Sequence, residues 1–421
     1  MSAVAKFDTC PWSPLLALLM LFPCASFAQG LDSFAAEDEP VATVDAVYIG
    51  DVWRNEQGGL RTGTAYLGNA EVAVAIDGER LLGIEGTSFY LDVQSIHGQS
   101  VSSRLVGDAQ GVSNIEADNQ LRLYELWVER RFARHAGPSL RFGLYDLNSE
   151  FDVLETAGLF LNGASGVGPQ LAQTGLNGPS IFPVTSLGMR LQWSFAPKWS
   201  GRFALMDAVP GDPEHPTSHR MHFGNGEGVL AATEVARAGD RLTKVAVGAW
   251  TYTARFEEIA EIPENGPQRR RWGNRGVYAI AEGRVYVEPE NPGQGLNAFV
   301  RAGTADERFN RFADFLGAGV VYTGAFPGRD EDQIGLAVAS VGNGDVYRKT
   351  FAGLAPDSRE TTVELTYRSA VTEWLTLQAS LQHVSNPDTD PGLRDAMAFG
   401  LRFELSKGWS WPPSSRHRFR L

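Results

Sequence analysis

Glu125, Trp127 and Glu129 follow one another at a spacing of two, so that an acceptor, a flat indole and a second acceptor alternate with apolar residues. In an extended chain that spacing puts all three on one face. Arg141 and Arg190 hold equivalent alternate positions in the segments LRFGLY and LGMRLQW. A guanidinium offers a rigid fork of donors, so arginines and carboxylates on one wall can grip paired hydrogen-bonding groups while the indole covers a flat C–H face. Asn162 and Gln173, in the segment between the two arginines, add amides. This chemistry recognises without making or breaking a bond. Each of the seven also reads as part of a charge ladder that never touches a solute, because alternation gives the face of a residue and not its depth.

The elements that must position these residues are strands. Leu140, Phe142 and Leu144 alternate with Arg141, Gly143 and Tyr145, and Leu187, Met189, Leu191 and Trp193 with Gly188, Arg190 and Gln192. Period-two alternation means strands with one apolar and one polar face. In a soluble sandwich the apolar face meets a second sheet; in an outer-membrane barrel it meets lipid, and the polar face lines water. Arginine in mid-strand on the polar face favours the barrel. Similar alternation recurs around Val44, with Tyr124, Leu126 and Val128 outside, with Val363, Leu365 and Tyr367, and near the end with Phe399, Leu401, Phe403 and Leu405. At about ten residues per strand plus connections, the length accommodates roughly sixteen strands. Between the two arginine segments lies a long Gly-, Asn- and Ser-rich stretch that carries Leu159, Phe160, Leu161, Ile181 and Phe182. A solvated linker would not hold such an apolar load, so the stretch is expected to fold back into the lumen and narrow it.

That stretch and its flanks resemble the carbohydrate-selective porins of the OprB type. The resemblance rests on Gly158–Phe160, Leu161–Asn162, Gly166–Pro169, Gln173–Gly175 and Asn177–Gly188, and extends to LRLYELWVERRF, RFGLYDLNSEF, TEWLTLQASLQHVSNP and FGLRFEL. It implies an all-β transmembrane antiparallel barrel of sixteen strands with an inward-folded constriction loop over 158–183. It implies passive diffusion of glucose and related mono- or oligosaccharides across the bacterial outer membrane. The partners would be carbohydrate solutes, lipid and lipopolysaccharide, and the assembly a monomer or homotrimer. Glu125, Trp127, Glu129, Arg141, Arg190, Asn162 and Gln173 become the expected solute pathway. A general or anion-preferring porin on the same barrel, and a secreted β-sandwich binding protein, are the alternatives.

The rest of the chain fits export. Lys6, the apolar run 15–22 and Ser26-Phe27-Ala28 read as a signal peptide over 1–28. A periplasmic lead-in over 29–43, a barrel over 44–406 and a tail over 407–421 complete the expected organisation. Cys10 and Cys24, the only cysteines, fall in the removed segment, so thiol catalysis and cysteine-ligated metals are excluded. A net charge of −13 argues against nucleic acid, whose phosphates need a basic face. Nucleophile-elbow, phosphate-loop and zinc-protease motifs do not occur, and no cofactor is expected. His383, Ser385 and Asn386 keep a barrel-embedded hydrolase as a remote alternative. His215, His219 and His222 lie among prolines and glycines, which reads as a hydrated loop rather than a metal site.

Overall fold

The computed structural model describes residues 40–132, 137–212, 228–260 and 270–412. Sixteen antiparallel strands close into one barrel. In chain order they are β1 Ala42–Gln57, β2 Gly63–Asp77, β3 Thr87–Gly98, β4 Gln120–Arg131, β5 Ser139–Tyr145, β6 Ser186–Ala196, β7 Trp199–Asp207 and β8 Val229–Ala238. They continue as β9 Lys244–Tyr252, β10 Arg275–Val287, β11 Gly295–Ala305, β12 Phe312–Thr323, β13 Gln333–Asn343, β14 Arg359–Thr372, β15 Leu375–Ser385 and β16 Ala396–Trp411. Each strand pairs with its neighbours in sequence, and β1 closes on β16 with Ala42 opposite Trp411. Closure leaves no edge, which is what lets strands cross a bilayer without unpaired backbone groups.

The expected faces are present. Val52, Leu126, Phe142, Met189, Val247, Leu316, Leu365 and Leu401 stand exposed around the outside, while Asp51, Glu125, Arg141, Glu234, Arg301, Glu364 and Arg402 are buried inside. An oily exterior around a polar interior inverts the soluble arrangement and suits acyl chains. At the end where β1 begins and β16 stops, the connections are short, and Phe195, Trp199, Trp374, Trp409 and Trp411 are exposed there. Aromatic rings collect at that level because they tolerate the boundary between headgroups and hydrocarbon.

Two expectations are corrected. The last strand does not stop at 406: β16 continues through Lys407, Trp409 and Trp411, paired throughout with β1, which itself begins at Ala42 rather than 44. Trp409 and Trp411, which fell in the expected tail over 407–421, are therefore residues of the strand itself. Tyr124 does not face lipid. Asp92 pairs with Glu125 and Val93 with Leu123, a bulge that leaves Tyr124 between them, and its buried hydroxyl donates to Asp146 Oδ2 at 2.6 Å. An extra residue in one strand flips the alternation locally.

The hydrophobic core sits inside the barrel, unlike that of an open pore. Tyr145 at the end of β5 and Leu147, Phe151, Leu159, Phe160 and Leu171 of the segment that follows pack with Tyr252, Tyr278 and Phe299 of the wall. Gly143 lets β5 carry this load: its φ is +146°, and a Cβ there would lie 2.1 Å from the Leu126 carbonyl oxygen. Gly143→Ala should therefore strain the β4–β5 pair by about 1–3 kcal/mol, read as a lower temperature for loss of the compact, heat-modifiable gel band. An unchanged temperature would remove this role for Gly143.

Candidate constriction site in the lumen

The register of three strands assembles the charged centre. Arg141 of β5 lies opposite Arg190 of β6 on one side and Glu129 of β4 on the other. Two guanidinium groups directly opposite one another on adjacent strands repel, so each needs an acceptor within reach. Glu129 Oε2 accepts from Arg141 Nε (3.0 Å) and Nη2 (2.9 Å) and from Arg190 Nη2 (2.7 Å). Glu150, which follows the short helical turn Leu147–Ser149, accepts from Arg190 Nε at 2.6 Å. Arg190 Nη1 donates to Ser139 Oγ at 2.6 Å, so every nitrogen of that guanidinium is engaged. Arg190 is 1% exposed and Arg141 2%. The Arg141 guanidinium carbon sits 3.8 Å from the centre of the Trp127 ring, and Trp127 stacks on Tyr90 at 5.1 Å. Glu125 accepts from the Asp146 backbone N–H at 2.9 Å. The two arginines thus converge on the start of the inward loop.

Burial opposes ionisation of Glu150, but Arg141, Arg190 and Arg202 outweigh it and hold its carboxyl well below the usual carboxylate range. A carboxylate depressed in this way contributes stability above its ordinary pKa and loses it only as pH falls through the lowered one. Acidification from about pH 7 to about pH 4, which spans ordinary glutamates, should leave this clamp closed. Glu150→Gln should open it at every pH. Single-channel conductance across that range distinguishes the two.

The far side of the loop is fastened by carboxylates whose partners are backbone amides. Glu282 accepts from the N–H groups of Glu155 (3.1 Å) and Thr156 (2.7 Å). Glu364 accepts from Leu161 (2.9 Å) and Asn162 (3.0 Å), and Glu234 from Asp152 (3.0 Å). Arg301, 1% exposed, takes the other polarity: it binds Asp152 Oδ1 and donates to the carbonyls of Asp152, Ala164, Ser165 and Gly166. Asn162 is an anchor, with Nδ2 on Gln382 Oε1 at 3.2 Å and Oδ1 capping Ala164 at 3.1 Å. Gln173 is exposed, and its Nε2 donates to the Ala109 carbonyl at 2.7 Å.

Sequence reasoning missed the second inward loop, between β3 and β4. Val101, Val106, Val112 and Ile115 are wholly buried there. Asn114 N–H reaches the Leu161 carbonyl (2.7 Å), and Gly163 N–H the Gly111 carbonyl (2.8 Å), which joins the two loops. Glu360 accepts the amides of Ala109 (2.8 Å) and Gln110 (3.1 Å). The signal was available: SSRLVGDAQGVSNI has the same apolar residues set among Gly and Ser as the longer loop.

Residues 61–406 match the model of the carbohydrate-selective porins of the OprB family. The chain belongs to that family. Porin B of Pseudomonas aeruginosa is 24% identical over 400 residues, covering 85% of this chain and 86% of that protein. The high-pH structure of Pseudomonas putida OprB superposes with a TM-score of 0.77 at 20% identity, covering 87% of this chain and 94% of that one. The outer membrane channel DcaP of Acinetobacter baumannii gives 0.55 at 9% identity, over 89% and 99%. This porin is a channel of the bacterial outer membrane through which carbohydrates diffuse passively. Among the described residues no three His, Cys, Asp or Glu side chains converge as a metal cluster; His215, His219 and His222, and the expected signal peptide over 1–28, lie outside the described residues.

Removing one partner from a buried, fully bonded charge costs about 3–5 kcal/mol, and Arg301 holds four carbonyls as well as Asp152. Arg301→Ala should release the loop's turn at 163–166 and raise single-channel conductance, with frequent transitions between levels. Conductance equal to that of the parent porin would show that the other anchors suffice.

Proposed function

We propose that the seven residues expected on the solute pathway divide by task. Arg190, Glu129, Glu125 and Asn162 position the loop, since their polar groups are taken up by it or by one another. Arg141, Trp127 and Gln173 make the solute contacts. The observation that carries this division is that two donors of the central stack, Arg141 Nη1 and Trp127 Nε1, have no acceptor, whereas every nitrogen of Arg190 is engaged. Both donors are buried as the structure stands, so hydroxyl oxygens of a sugar accept from them only where the stack parts to admit it, while Gln173 offers an exposed amide on the loop.

The solutes are glucose and short glucans, moving down their own gradients. Contacts of this kind are few and replaceable, as a channel requires, because a site that held its sugar tightly would not release it. No cofactor or energy source takes part. The outer wall is solvated by lipid and lipopolysaccharide. The hydrolase alternative has little support: Asn386 Nδ2 is spent on the Arg359 carbonyl at 3.1 Å.

In planar bilayers the porin should show steady conductance that falls as glucose or maltotriose is added. Arg141→Lys keeps the charge but loses the fork, and should weaken this block by about tenfold, the equivalent of one good hydrogen bond. Arg190→Lys should instead alter the open conductance. Reversal potentials in a salt gradient with no sugar block in any variant would favour an anion-preferring porin.

A further inference from the structure

The barrel closes where β1 meets β16. Each other pairing joins strands that follow one another in sequence, whereas Asp51 of β1 and Arg402 of β16 come together from 351 residues apart. Loop-closure entropy opposes that pairing more than it opposes any hairpin. Asp51 and Arg402 stand directly opposite each other across the seam, and both are buried. Arg402 donates to Asp51 through Nε at 2.7 Å and through Nη2 at 2.8 Å. The loop between β3 and β4 bonds both members of this fork: Ser113 Oγ donates to Asp51 Oδ2 at 2.7 Å, and Asn114 Oδ1 accepts from Arg402 Nη2 at 2.8 Å. Trp53 of β1 lies on Gly400 of β16, where a Cβ would be 2.7 Å from the indole ring. Ile49 and Trp53 on one side of the seam and Ala396 and Ala398 on the other share a single apolar cluster with Val112 and Ile115 of the loop.

We propose that the loop between β3 and β4 is an internal strap across this seam, and that Asp51 and Arg402 are the positioning pair that sets its half of the constriction. The docking surface is divided between the two strands, with an acceptor and Trp53 on β1, and a donor and two alanines on β16. Neither half suffices alone. Asp51 without Arg402 is a buried charge that has lost its partner, which is costly, and Asn114 Oδ1 loses its donor on the wall. Docking of the loop therefore waits for the seam to close, and the docked loop then adds side-chain bonds and apolar contact that hold it closed. The Asn114 N–H group carries the coupling onward to the Leu161 carbonyl of the longer loop at 2.7 Å, so the narrow aperture and the closed sheet form together. By the same geometry a barrel with a loose seam is a wide one. The inference uses only contacts between loop and wall, and it holds whichever side chains meet the sugar.

Amide hydrogen exchange of the purified porin in detergent, read by mass spectrometry, tests the coupling in both directions. Ser113→Ala combined with Asn114→Ala removes the loop's side of the clasp and leaves every strand residue in place. Amides of β1 and β16 should then exchange about tenfold faster, the equivalent of one hydrogen bond, while those of β8 and β9 on the opposite side of the ring keep the parental rate. Asp51→Asn combined with Arg402→Met removes both buried charges from the seam. In that variant the amides of residues 112–115 should exchange faster, and the single-channel conductance should rise. Parental exchange in β1 and β16 of the loop variant, equal acceleration in all four strands, or parental exchange at 112–115 in the seam variant would each overturn the strap. Should the seam variant not assemble, the loop variant decides alone, because its sheet is unaltered.

Discussion

The structure depends on the way the inner wall satisfies backbone that would otherwise be unpaired. A loop drawn into a barrel leaves the water that bonded its amides and carbonyls, and each orphaned group is expensive. Here the wall supplies acceptors for the amides through Glu234, Glu282, Glu360 and Glu364. It supplies donors for the carbonyls through Arg301, Gln378 and Lys244. The charged residues of the lumen are therefore first of all ligands for a peptide, this protein's own. What remains for a solute is the small part of the donor set that the loop does not use.

This explains how an acidic chain can hold a centre rich in arginine. Arg141, Arg190 and Arg202 meet around Glu129 and Glu150, so the local field is decided by a handful of side chains and not by the net charge of −13. The β2–β3 wall has the opposite character, with carboxylates and amides but no arginine among their bonded partners. The lumen is thus partitioned into a clamped, neutralised region under the loop and an acidic region beside it.

The two inward loops act as one body. Their backbones bond directly at Leu161–Asn114 and Gly163–Gly111, and Arg402, held by Asp51, reaches Asn114 from the wall at 2.8 Å. Loosening either loop exposes the apolar residues of both, Leu161 with Val112 and Ile115. A change of pore size is for this reason expected to be stepwise, because packed interiors do not deform continuously.

The amino-acid sequence by itself determined the strands, their faces and the inward course of the long loop, because period-two alternation and an apolar load among glycines are local signals. It also determined that Arg141 and Arg190 share the lumen side with Glu129. Register was beyond it. Only the closed sheet decided that these three lie side by side on adjacent strands and meet Glu150, that a bulge turns Tyr124 inward, and that β16 runs on to Trp411. The anchors Glu282, Arg301 and Glu364 lie more than a hundred residues from the loop atoms they bind. No pattern within a strand announces such a partner, since the pairing is made by the curvature of the barrel bringing opposite walls to one loop.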